Sequence, residues 1–549
     1  MRRTTSQIQV PWSIYISRLE DILACERLNG DTVLPSERAQ LLLNYAEENR
    51  LRYLSHEELP ELATDEIENI LRQKGFKRPL KPYQLSNVSK LSKFRSGATF
   101  SVPGAGKTTE ALAFFYLHAE PEDLLLVIAP INAFGAWDQE LQDCFNDKKL
   151  FFQPITTTDE TKVNEILRSG QKRYIVNYHK LPILTNVIAQ FLSRHPVFLF
   201  LDESHYIKSE ASLRGSAAIK IAHLPKSKLI LTGTPIPQHI EDLIPQFKYL
   251  YPEIRVSSST VDKAFRPIFV RTPRSALGIK DGELKQIVIP FSRNQREIYN
   301  LFKNDILSKL DFSLASELIR IKRAVVLIMQ LVSNPLLLLD RFLNITDFPT
   351  ELLENLTSPK IDYACQRARE LAREGMKSII WSSFVKNVDT ITDRLKDLNA
   401  VKIRGGVSSL DRREAVKRFT KTKECMAIVI NPSAGSEGIS LHHKCHYAIY
   451  VDRSFNSVHW LQSLDRIRRI GQEELPIFEV LIHEKTIDDR IQIRLDEKIS
   501  LMEKILNDST INIENIAVEY IDDEDTYAYK GIEIDNDDLR YAIDALKGE

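Results

Sequence analysis

Residues 197–205 read VFLFLDESH, a run of five apolar side chains followed by two carboxylates. A continuous apolar run of this length is typical of a strand that is buried on both faces of a parallel sheet. An open sheet of that kind exposes its ligand site at the carboxyl ends of its strands. We therefore predict that Asp202 and Glu203 lie at the sheet edge where a ligand would bind.

Similar apolar runs flank this stretch, and each is followed by polar or helical sequence. The first group is LLLVIAP, RYIVNYH and KLILTGT, and a second group further along the chain is KSIIWSS, CMAIVIN, HYAIYVD and PIFEVLI. Strands that alternate with helices favour parallel sheets wrapped by helices. The sequence therefore predicts an α/β fold with two parallel-sheet lobes.

The spacing of apolar residues also predicts how the chain is divided. The predicted parts are a helical N-terminal module at 1–78, a first lobe at 79–271, a helical insert or linker at 272–359, a second lobe at 360–485, a bracing helix at 486–519 and an acidic tail at 520–549. The bracing helix is expected to pack on the lobes because it is amphipathic. The tail is expected to be mobile, since it carries a large excess of acidic residues.

Composition limits the class of protein. A chain of 549 residues is too long for one hydrophobic core, and 43% hydrophobic with 27% charged residues is ordinary for a globular protein. No apolar run approaches the roughly 18 residues that span a membrane, no secretory segment is visible, and the five cysteines form no CxxC pair, so we expect a cytoplasmic protein with no membrane partner. Because the net charge is −1, a nucleic-acid site must be a local positive track.

Residues 101–109, SVPGAGKTT, precede the helical run EALAFFYL. Small residues that allow close backbone approach, amide donors and a helix N-terminus are what a triphosphate needs. Lys107 is expected to reach the β- and γ-phosphates and Thr108 the Mg²⁺ ion, although Ser101 stands where the strict pattern has Gly. The predicted ATP-binding residues of this loop are Gly104, Ala105, Gly106, Lys107, Thr108 and Thr109.

The acidic pair complements this phosphate loop. Asp202 is expected to hold Mg²⁺ together with Thr108, and Glu203 to act as the general base that orients and deprotonates the attacking water. A lone Asp-Glu pair at a strand end is more often a helix N-cap with a solvated neighbour. The phosphate loop upstream makes the catalytic interpretation the better one.

Residues 462–472, QSLDRIRRIGQ, concentrate three arginines in the second predicted lobe. One interpretation is a solvated basic helix face. The other is a set of arginine fingers, which stabilise the negative charge of the transition state of phosphoryl transfer.

An ordered set of motifs runs from about residue 80 to residue 506. It comprises LKPYQ, PGAGKT, VIAPINAFGAWDQEL, DESHYIKS, LILTGTPIPQ, QLVSNP, SIIWSSFVKNVDTI, INPSAGSEGISL and DRIRRIGQ. With these motifs the chain resembles the SWI/SNF-type helicase-related ATPases, the chromatin-remodeller and DNA-translocase branch of helicase superfamily 2. The short insert and the lack of a long extra loop favour a compact prokaryotic or viral form.

This resemblance implies two RecA-like lobes with a helical insert between them and small helical N- and C-terminal additions. It implies ATP and Mg²⁺ as cofactors and double-stranded DNA as the partner, gripped by its backbone. The residue roles that it implies are adenine recognition by Gln84, coupling by Thr232, Thr234, Gly435 and Gly438, arginine fingers at Arg466 and Arg469, and nucleic-acid contacts near Pro130 and Ser433.

Three residues depart from the family pattern. Ser204 replaces the usual Ala after the acidic pair, Phe455 stands where the family often has Trp, and Arg468 stands where His is common. These departures leave the ATPase chemistry untouched and bear on how it is coupled to DNA.

Two other functions remain open from the sequence. The first is a strand-separating helicase that acts on DNA or RNA, because all motors of superfamily 2 share the ATP site. The second is a nucleotide-gated interaction protein in a larger assembly, for example in defence against foreign DNA, with a protein partner at the N-terminal module or the acidic tail. The biological pathway is not determined by fold and motifs.

Overall fold

The structure is a computed structural model that describes residues 2–3, 8–9, 37–236, 238–309, 318–343, 349–354, 356–435, 440–509, 511, 516–520 and 534–547. It divides into two compact units, Met1–Leu277 and Gly278–Glu549. Each unit is built on a parallel sheet with its own hydrophobic core.

The sheet of the first unit has seven strands. Two short strands, β1 (Arg2–Arg3) and β2 (Ile8–Gln9), pair only with each other, and the sheet itself consists of β3 (Ser96–Thr99), β4 (Leu124–Ala129), β5 (Gln153–Ile155), β6 (Arg173–Asn177), β7 (Val197–Asp202), β8 (Ser227–Leu231) and β9 (Phe269–Val270). All neighbours are parallel, in the order β5-β6-β4-β7-β8-β3-β9. The strands predicted from apolar runs in this part of the chain are therefore confirmed.

Helices cover this sheet. They are α1 (Glu37–Leu54), α2 (Thr64–Gln73), α3 (Pro82–Ser92), α4 (Lys107–His118), α5 (Phe134–Phe145), α6 (Glu160–Leu167), α7 (Leu181–Arg194), α8 (Leu213–Ile221), α9 (Leu243–Leu250) and α10 (Val261–Phe265). Local capping fixes several starts: Asp159 accepts hydrogen bonds from two amides of the first turn of α6, and Ser212 does the same for one amide of α8. Ile67 and Leu71 of α2 lie in the core of the first unit, so this part of the predicted N-terminal module packs with the lobe.

The second unit repeats the architecture. Its strands are β10 (Glu283–Val288), β11 (Ser378–Trp381), β12 (Val401–Ile403), β13 (Ala427–Ile430), β14 (Tyr447–Tyr450), β15 (Ile477–Ile482) and β16 (Ile516–Tyr520). They form a parallel sheet in the order β12-β13-β11-β14-β15-β10-β16. The predicted α/β class with two parallel sheets is confirmed.

The helices of the second unit surround this sheet. They are α11 (Arg293–Lys309), α12 (Leu318–Ser333), α13 (Leu339–Leu343), α14 (Pro359–Arg373), α15 (Val385–Arg394), α16 (Ser409–Lys421), α17 (Pro432–Gly435), α18 (Ser457–Leu464), α19 (Ile487–Leu506) and α20 (Asn536–Lys547). A capping box of Thr486 and Asp489 starts α19. The long amphipathic helix predicted at this position is therefore present.

Two elements differ from the sequence expectation. The stretch 272–359 is not wholly helical, because β10 pairs in parallel with both β15 and β16. Polar residues such as Lys285 and Gln286 interrupt its apolar run, and only pairing on both sides identifies it as a strand. The acidic tail is not wholly irregular either, since α20 packs on α19; residues 521–533 lie outside the described part of the chain.

Within the described residues, no helix combines the length and the apolar character that crossing a membrane requires.

Candidate nucleotide site

The phosphate loop connects β3 to α4. Gly104 and Gly106 have φ angles of 87° and 84°, in the left-handed region that favours glycine. A Cβ atom at Gly106 would overlap Nε2 of Gln84, so a larger residue there would displace the Gln84 side chain from the loop. Lys107 is the first residue of α4, and its Nζ donates a hydrogen bond to the carbonyl oxygen of Ser101 over 2.9 Å. The loop therefore has the small residues, the lysine and the helix N-terminus that a phosphate group requires.

Gln84, predicted to recognise adenine, lies against this loop. Its Nε2 donates to the carbonyl oxygens of Ala105 and Gly106 over 3.1 Å and 3.4 Å, while its Oε1 accepts from the amide of Lys81 over 3.0 Å. These bonds hold the first turn of α3 on the phosphate loop.

Asp202 is the last residue of β7, at the carboxyl end of the sheet as the sequence predicts. Its Oδ2 accepts a hydrogen bond from the indole Nε1 of Trp137 over 2.9 Å, and its carbonyl oxygen accepts from the hydroxyl of Tyr178 over 2.8 Å. Burial and the adjacent charge of Glu203 raise the pKa of the Asp202 carboxyl to about 6. Asp202 is thus oriented by an aromatic donor that lies 65 residues away in the sequence.

Glu203 has a φ of 53°, an unusual conformation for a residue other than glycine. Its Oε2 accepts a hydrogen bond from the hydroxyl of Thr232 over 3.2 Å and lies 3.3 Å from Nδ1 of His205. Burial by itself would raise the pKa of Glu203, but the hydrogen bond and charge of His205 and the charge of Lys107 outweigh it and lower the pKa to about 2. A strained backbone at a partly buried carboxylate is typical of a functional site.

The loop after β8 connects to this carboxylate. Thr232, which is fully buried, also accepts a hydrogen bond at its hydroxyl from the amide of Thr234 over 3.1 Å. Gly233, between them, is so close to the phosphate loop that a Cβ would lie 3.1 Å from Cδ of Pro103 and 3.8 Å from Nζ of Lys107. The structure therefore brings the phosphate loop, Glu203 and the predicted coupling threonines together in the first unit.

The residues present fit ATP with Mg²⁺. Gly104 and Gly106 carry no side chain that could cover the amides of the loop, and Lys107 supplies a positive charge that acts on both Asp202 and Glu203. Thr108 in the first turn of α4 and Asp202 offer oxygen atoms, which are the donors that Mg²⁺ prefers. Thr109, the other threonine predicted to bind ATP, uses its hydroxyl within the protein, where it donates a hydrogen bond to Oε1 of Glu140.

Helix α5 is a part of this site that the sequence pattern does not predict. It carries Trp137, which contacts Asp202, and Glu140, which contacts Thr109 and forms an ion pair with Arg78 at 2.6 Å. Pairs so far apart in the sequence leave no local pattern, and the only available signal was a Trp and a Glu three residues apart in WDQE.

The predicted arginine fingers lie in the second unit, after α18. Nε of Arg466 donates to the carbonyl oxygen of Gln462 over 2.9 Å, and burial lowers the pKa of Arg469, an effect that Asp465 opposes. Arg468 is fully buried, with its Nη2 3.4 Å from the carbonyl oxygen of Ile511. The alternative of a solvated basic face is therefore wrong for Arg466 and Arg468.

The remaining predicted positions are dispersed. Pro130 precedes the short 3-10 helix Ile131–Ala133 in the first unit. In the second unit, Ser433 donates to Oδ1 of Asn431, and Gly435 ends α17. Gly438 lies outside the described residues.

Comparison with known families gives two matches. The model of the SNF2-related domain matches residues 86–276, and the model of the helicase conserved C-terminal domain matches residues 359–471. Together they span more than half of the chain, one in each unit.

The chain is also similar to curated proteins and to a solved structure. The SWI/SNF-related matrix-associated actin-dependent regulator of chromatin subfamily A-like protein 1 of Xenopus tropicalis is 23% identical over 81% of this chain and 46% of its own length. An uncharacterized ATP-dependent helicase of Mycoplasma genitalium is 24% identical over 73% of this chain and 39% of its own length. This chain thus spans less than half of either relative. A solved SWI2/SNF2 ATPase core of Sulfolobus solfataricus in complex with dsDNA is 20% identical, with a TM-score of 0.34 over 80% of this chain and 95% of that chain.

A parallel α/β unit with a phosphate loop and an acidic pair at the carboxyl end of a central strand defines a P-loop nucleotide-binding protein. With a SNF2-related domain followed by a helicase C-terminal domain, the chain belongs to the SWI/SNF-type ATPases of helicase superfamily 2.

Proposed function

We propose that this protein hydrolyses ATP and uses the released free energy to move along double-stranded DNA. The observation that carries the proposal is the hydrogen bond from Thr232 to Glu203. This hydrogen bond joins the predicted general base directly to the predicted coupling loop. A movement of Glu203 at the phosphate site would therefore act on Thr232 without another residue between them.

The residues of the first unit account for the chemistry. Lys107 and the loop amides bind the phosphates, and Thr108 and Asp202 hold Mg²⁺, which neutralises negative charge on the phosphates when it is bound. Glu203, whose pKa is held well below neutral, is ionised and accepts a hydrogen bond from the attacking water. Because phosphoryl transfer needs mainly positioning and charge compensation, this set is sufficient for the water-activating half of the site.

The second unit supplies the remaining positive charge in this proposal. Arg466 and Arg469 act as arginine fingers on the γ-phosphate, so that ATP draws the two lobes together and hydrolysis releases them. Alternate gripping of the phosphate backbone by the two lobes, near Pro130 and near Ser433, then gives directed movement.

Duplex DNA is the proposed substrate for two reasons. The chain carries an SNF2-related domain, and its Xenopus tropicalis relative is named as a regulator of chromatin, the material in which duplex DNA is packed. Backbone contacts provide affinity without sequence information, so the proposed movement is independent of base sequence.

The decisive experiment is steady-state ATP hydrolysis with no nucleic acid, single-stranded DNA, double-stranded DNA and structured RNA, with Lys107→Ala as the blank. Strong stimulation by duplex DNA is expected. A preference for single strands or RNA, with displacement of an annealed strand, would replace the translocase by a helicase. Slow turnover that ignores every nucleic acid would replace it by a nucleotide-gated interaction protein.

A further inference from the structure

Ser204, which stands where the family usually has Ala, makes a specific buried contact. Its side chain is completely inaccessible, and its hydroxyl donates a hydrogen bond to Oε1 of Gln246 over 2.7 Å. Burial of a hydroxyl is unfavourable unless the hydroxyl is hydrogen-bonded, so the two residues depend on each other.

Gln246, on α9, extends this contact to the loop after β8. It is also inaccessible, and its Nε2 donates to the carbonyl oxygen of Pro235 over 2.7 Å and to that of Asp242 over 2.9 Å. Both amide hydrogens and one lone pair of the side chain are therefore used. The side chain joins the residue after Glu203 to the end of the loop that begins at Thr232.

The loop after β8 is also fixed by hydrogen bonds of Thr232 and Asp242. Thr232 bonds Glu203 and accepts from the amide of Thr234. Asp242 accepts from the amides of Gln238 and His239 over 2.7 Å and 3.0 Å, which fixes the chain just beyond the loop. The acidic turn and the loop 232–235 are thus connected at two points, through Thr232 and through the Ser204–Gln246 pair.

We propose that Ser204 and Gln246 are positioning residues that fix the loop 232–235 to the acidic turn, so that nucleotide binding at Glu203 changes the conformation of the loop. The inference rests on the proposed function in that it takes Glu203 as the group that senses the nucleotide. It goes beyond that function by assigning the transmission to a polar pair outside the phosphate site.

A role in packing alone predicts a different result from the proposed positioning role of Ser204 and Gln246. If the pair served only to fill space, the response of the loop to nucleotide would survive replacement by an apolar pair of similar shape, even though the carbonyl oxygens of Pro235 and Asp242 would lose the Gln246 donor. The double variant Ser204→Ala/Gln246→Leu keeps the packing but removes the polar link to Pro235. The single variant Ser204→Ala leaves Oε1 of Gln246 buried without its donor.

The test is hydrogen–deuterium exchange of the full chain, followed on the peptide that spans residues 230–243, with and without Mg²⁺ and ADP–beryllium fluoride. The wild type and the control Ser169→Ala, whose hydroxyl caps an exposed turn, are expected to change exchange in this peptide at least twofold when the nucleotide binds. Both Ser204 variants are expected to lose this change while their nucleotide affinity stays within about threefold of the wild type.

A double variant that retains the nucleotide-induced change would overturn the inference, as would a wild-type loop that does not respond to bound nucleotide. The proposed function is judged separately, by stimulation of wild-type hydrolysis by duplex DNA. If the loop 232–235 responds to nucleotide but no nucleic acid stimulates ATP hydrolysis, the proposed function is rejected and the inference about Ser204 and Gln246 stands.

Discussion

Glu203, the proposed general base, is oriented by Thr232 and His205, and the hydrogen bond and charge of His205 and the charge of Lys107 lower its pKa. Glu203→Gln keeps the shape and most contacts but cannot take a proton. We expect turnover to fall by about 10²–10⁴-fold while nucleotide binding persists. Steady-state hydrolysis and equilibrium binding of a fluorescent ADP analogue measure the two effects. Glu210→Gln, an exposed carboxylate paired with Lys248, is the matched control and should hydrolyse ATP normally.

Trp137 orients Asp202 through its indole N–H. In Trp137→Phe an aromatic ring remains but the donor is lost, so the carboxylate is free to rotate away from the position in which we propose that it binds Mg²⁺. We expect the Mg²⁺ concentration required for half-maximal hydrolysis to rise about 10–100-fold, in line with the loss of a hydrogen bond to a charged group that orients a metal ligand. Titration with Mg²⁺ at saturating ATP measures the change.

The control for this variant is Phe152→Leu. Phe152 packs edge-on against Trp137 with ring centroids 5.5 Å apart and offers no hydrogen-bonding side-chain group. An equal rise in the Mg²⁺ requirement of both variants would show that the effect comes from packing and would reject the orienting role.

His118 ties the stability of the first unit to pH. Burial, reinforced by the positive charges of Arg95 and Arg52, lowers the pKa of His118 to about 3. The unfolded chain takes up this proton near pH 6.5 and the folded chain does not, so the free energy of unfolding decreases as the pH falls through this range. Between pH 6.5 and pH 4 the wild type should lose about 3 kcal/mol more than His118→Phe. Urea unfolding at several pH values tests this, and parallel pH profiles would contradict it.

The contact between α19 and α20 depends on buried charges. Asp538 is inaccessible, and its Oδ1 lies 2.7 Å from Nζ of Lys498 and 3.1 Å from Nε of Arg494. Lys498 also donates to the carbonyl oxygen of Phe455 over 2.9 Å, so the C-terminal helix is connected to the chain segment that leads into α18. An acidic residue in the tail thus forms part of the core rather than a solvated surface.

Asp538→Ala would remove the shorter carboxylate contact of both buried cations and leave them with Asp535, whose Oδ2 lies 3.2 Å from Nζ of Lys498 and 3.8 Å from Nη2 of Arg494. Loss of one partner of a buried ion pair is strongly unfavourable, and we expect a decrease of about 3–5 kcal/mol in the free energy of unfolding of the second unit. Asp537→Ala is the matched control: its carboxylate is more than half exposed and 3.4 Å from Arg494, so it should change stability by less than about 1 kcal/mol. Chemical denaturation followed by circular dichroism distinguishes the two variants, and equal effects would show that the buried pair is not special.

The molecule as a whole is nearly neutral, with a net charge of −1 and an isoelectric point near 6.9. If the protein binds duplex DNA as proposed, the affinity must come from local contacts between basic side chains and phosphates. Each such contact releases a counterion from the DNA. We expect the logarithm of the binding constant to decrease linearly with the logarithm of the salt concentration, with a slope of about −0.9 per phosphate contacted. Fluorescence anisotropy with two duplexes of unrelated sequence measures the slope, and binding that is insensitive to salt but differs between the duplexes would contradict the mechanism.

The sequence by itself determined the features that are contiguous in the chain. Apolar runs such as VFLFLD predicted the buried strands because their length and continuity reflect burial on both faces. SVPGAGKTT predicted a loop before a helix because its glycines and lysine lie within a few residues of one another. Asp202 and Glu203 could be placed because a carboxyl end of a parallel strand is an exposed edge.

Only the tertiary structure decided the features that join distant segments. Trp137 and Asp202 are 65 residues apart, Ser204 and Gln246 are 42 apart, and Asp538 and Arg494 are 44 apart. Likewise, β10 is a strand because β15 and β16 supply its hydrogen-bonding partners, whereas its own polar residues conceal it. A local sequence pattern reflects whether a segment is buried or exposed. A hydrogen bond between side chains that are remote in the sequence forms only after the sheets and helices have packed and brought the two groups within about 3 Å.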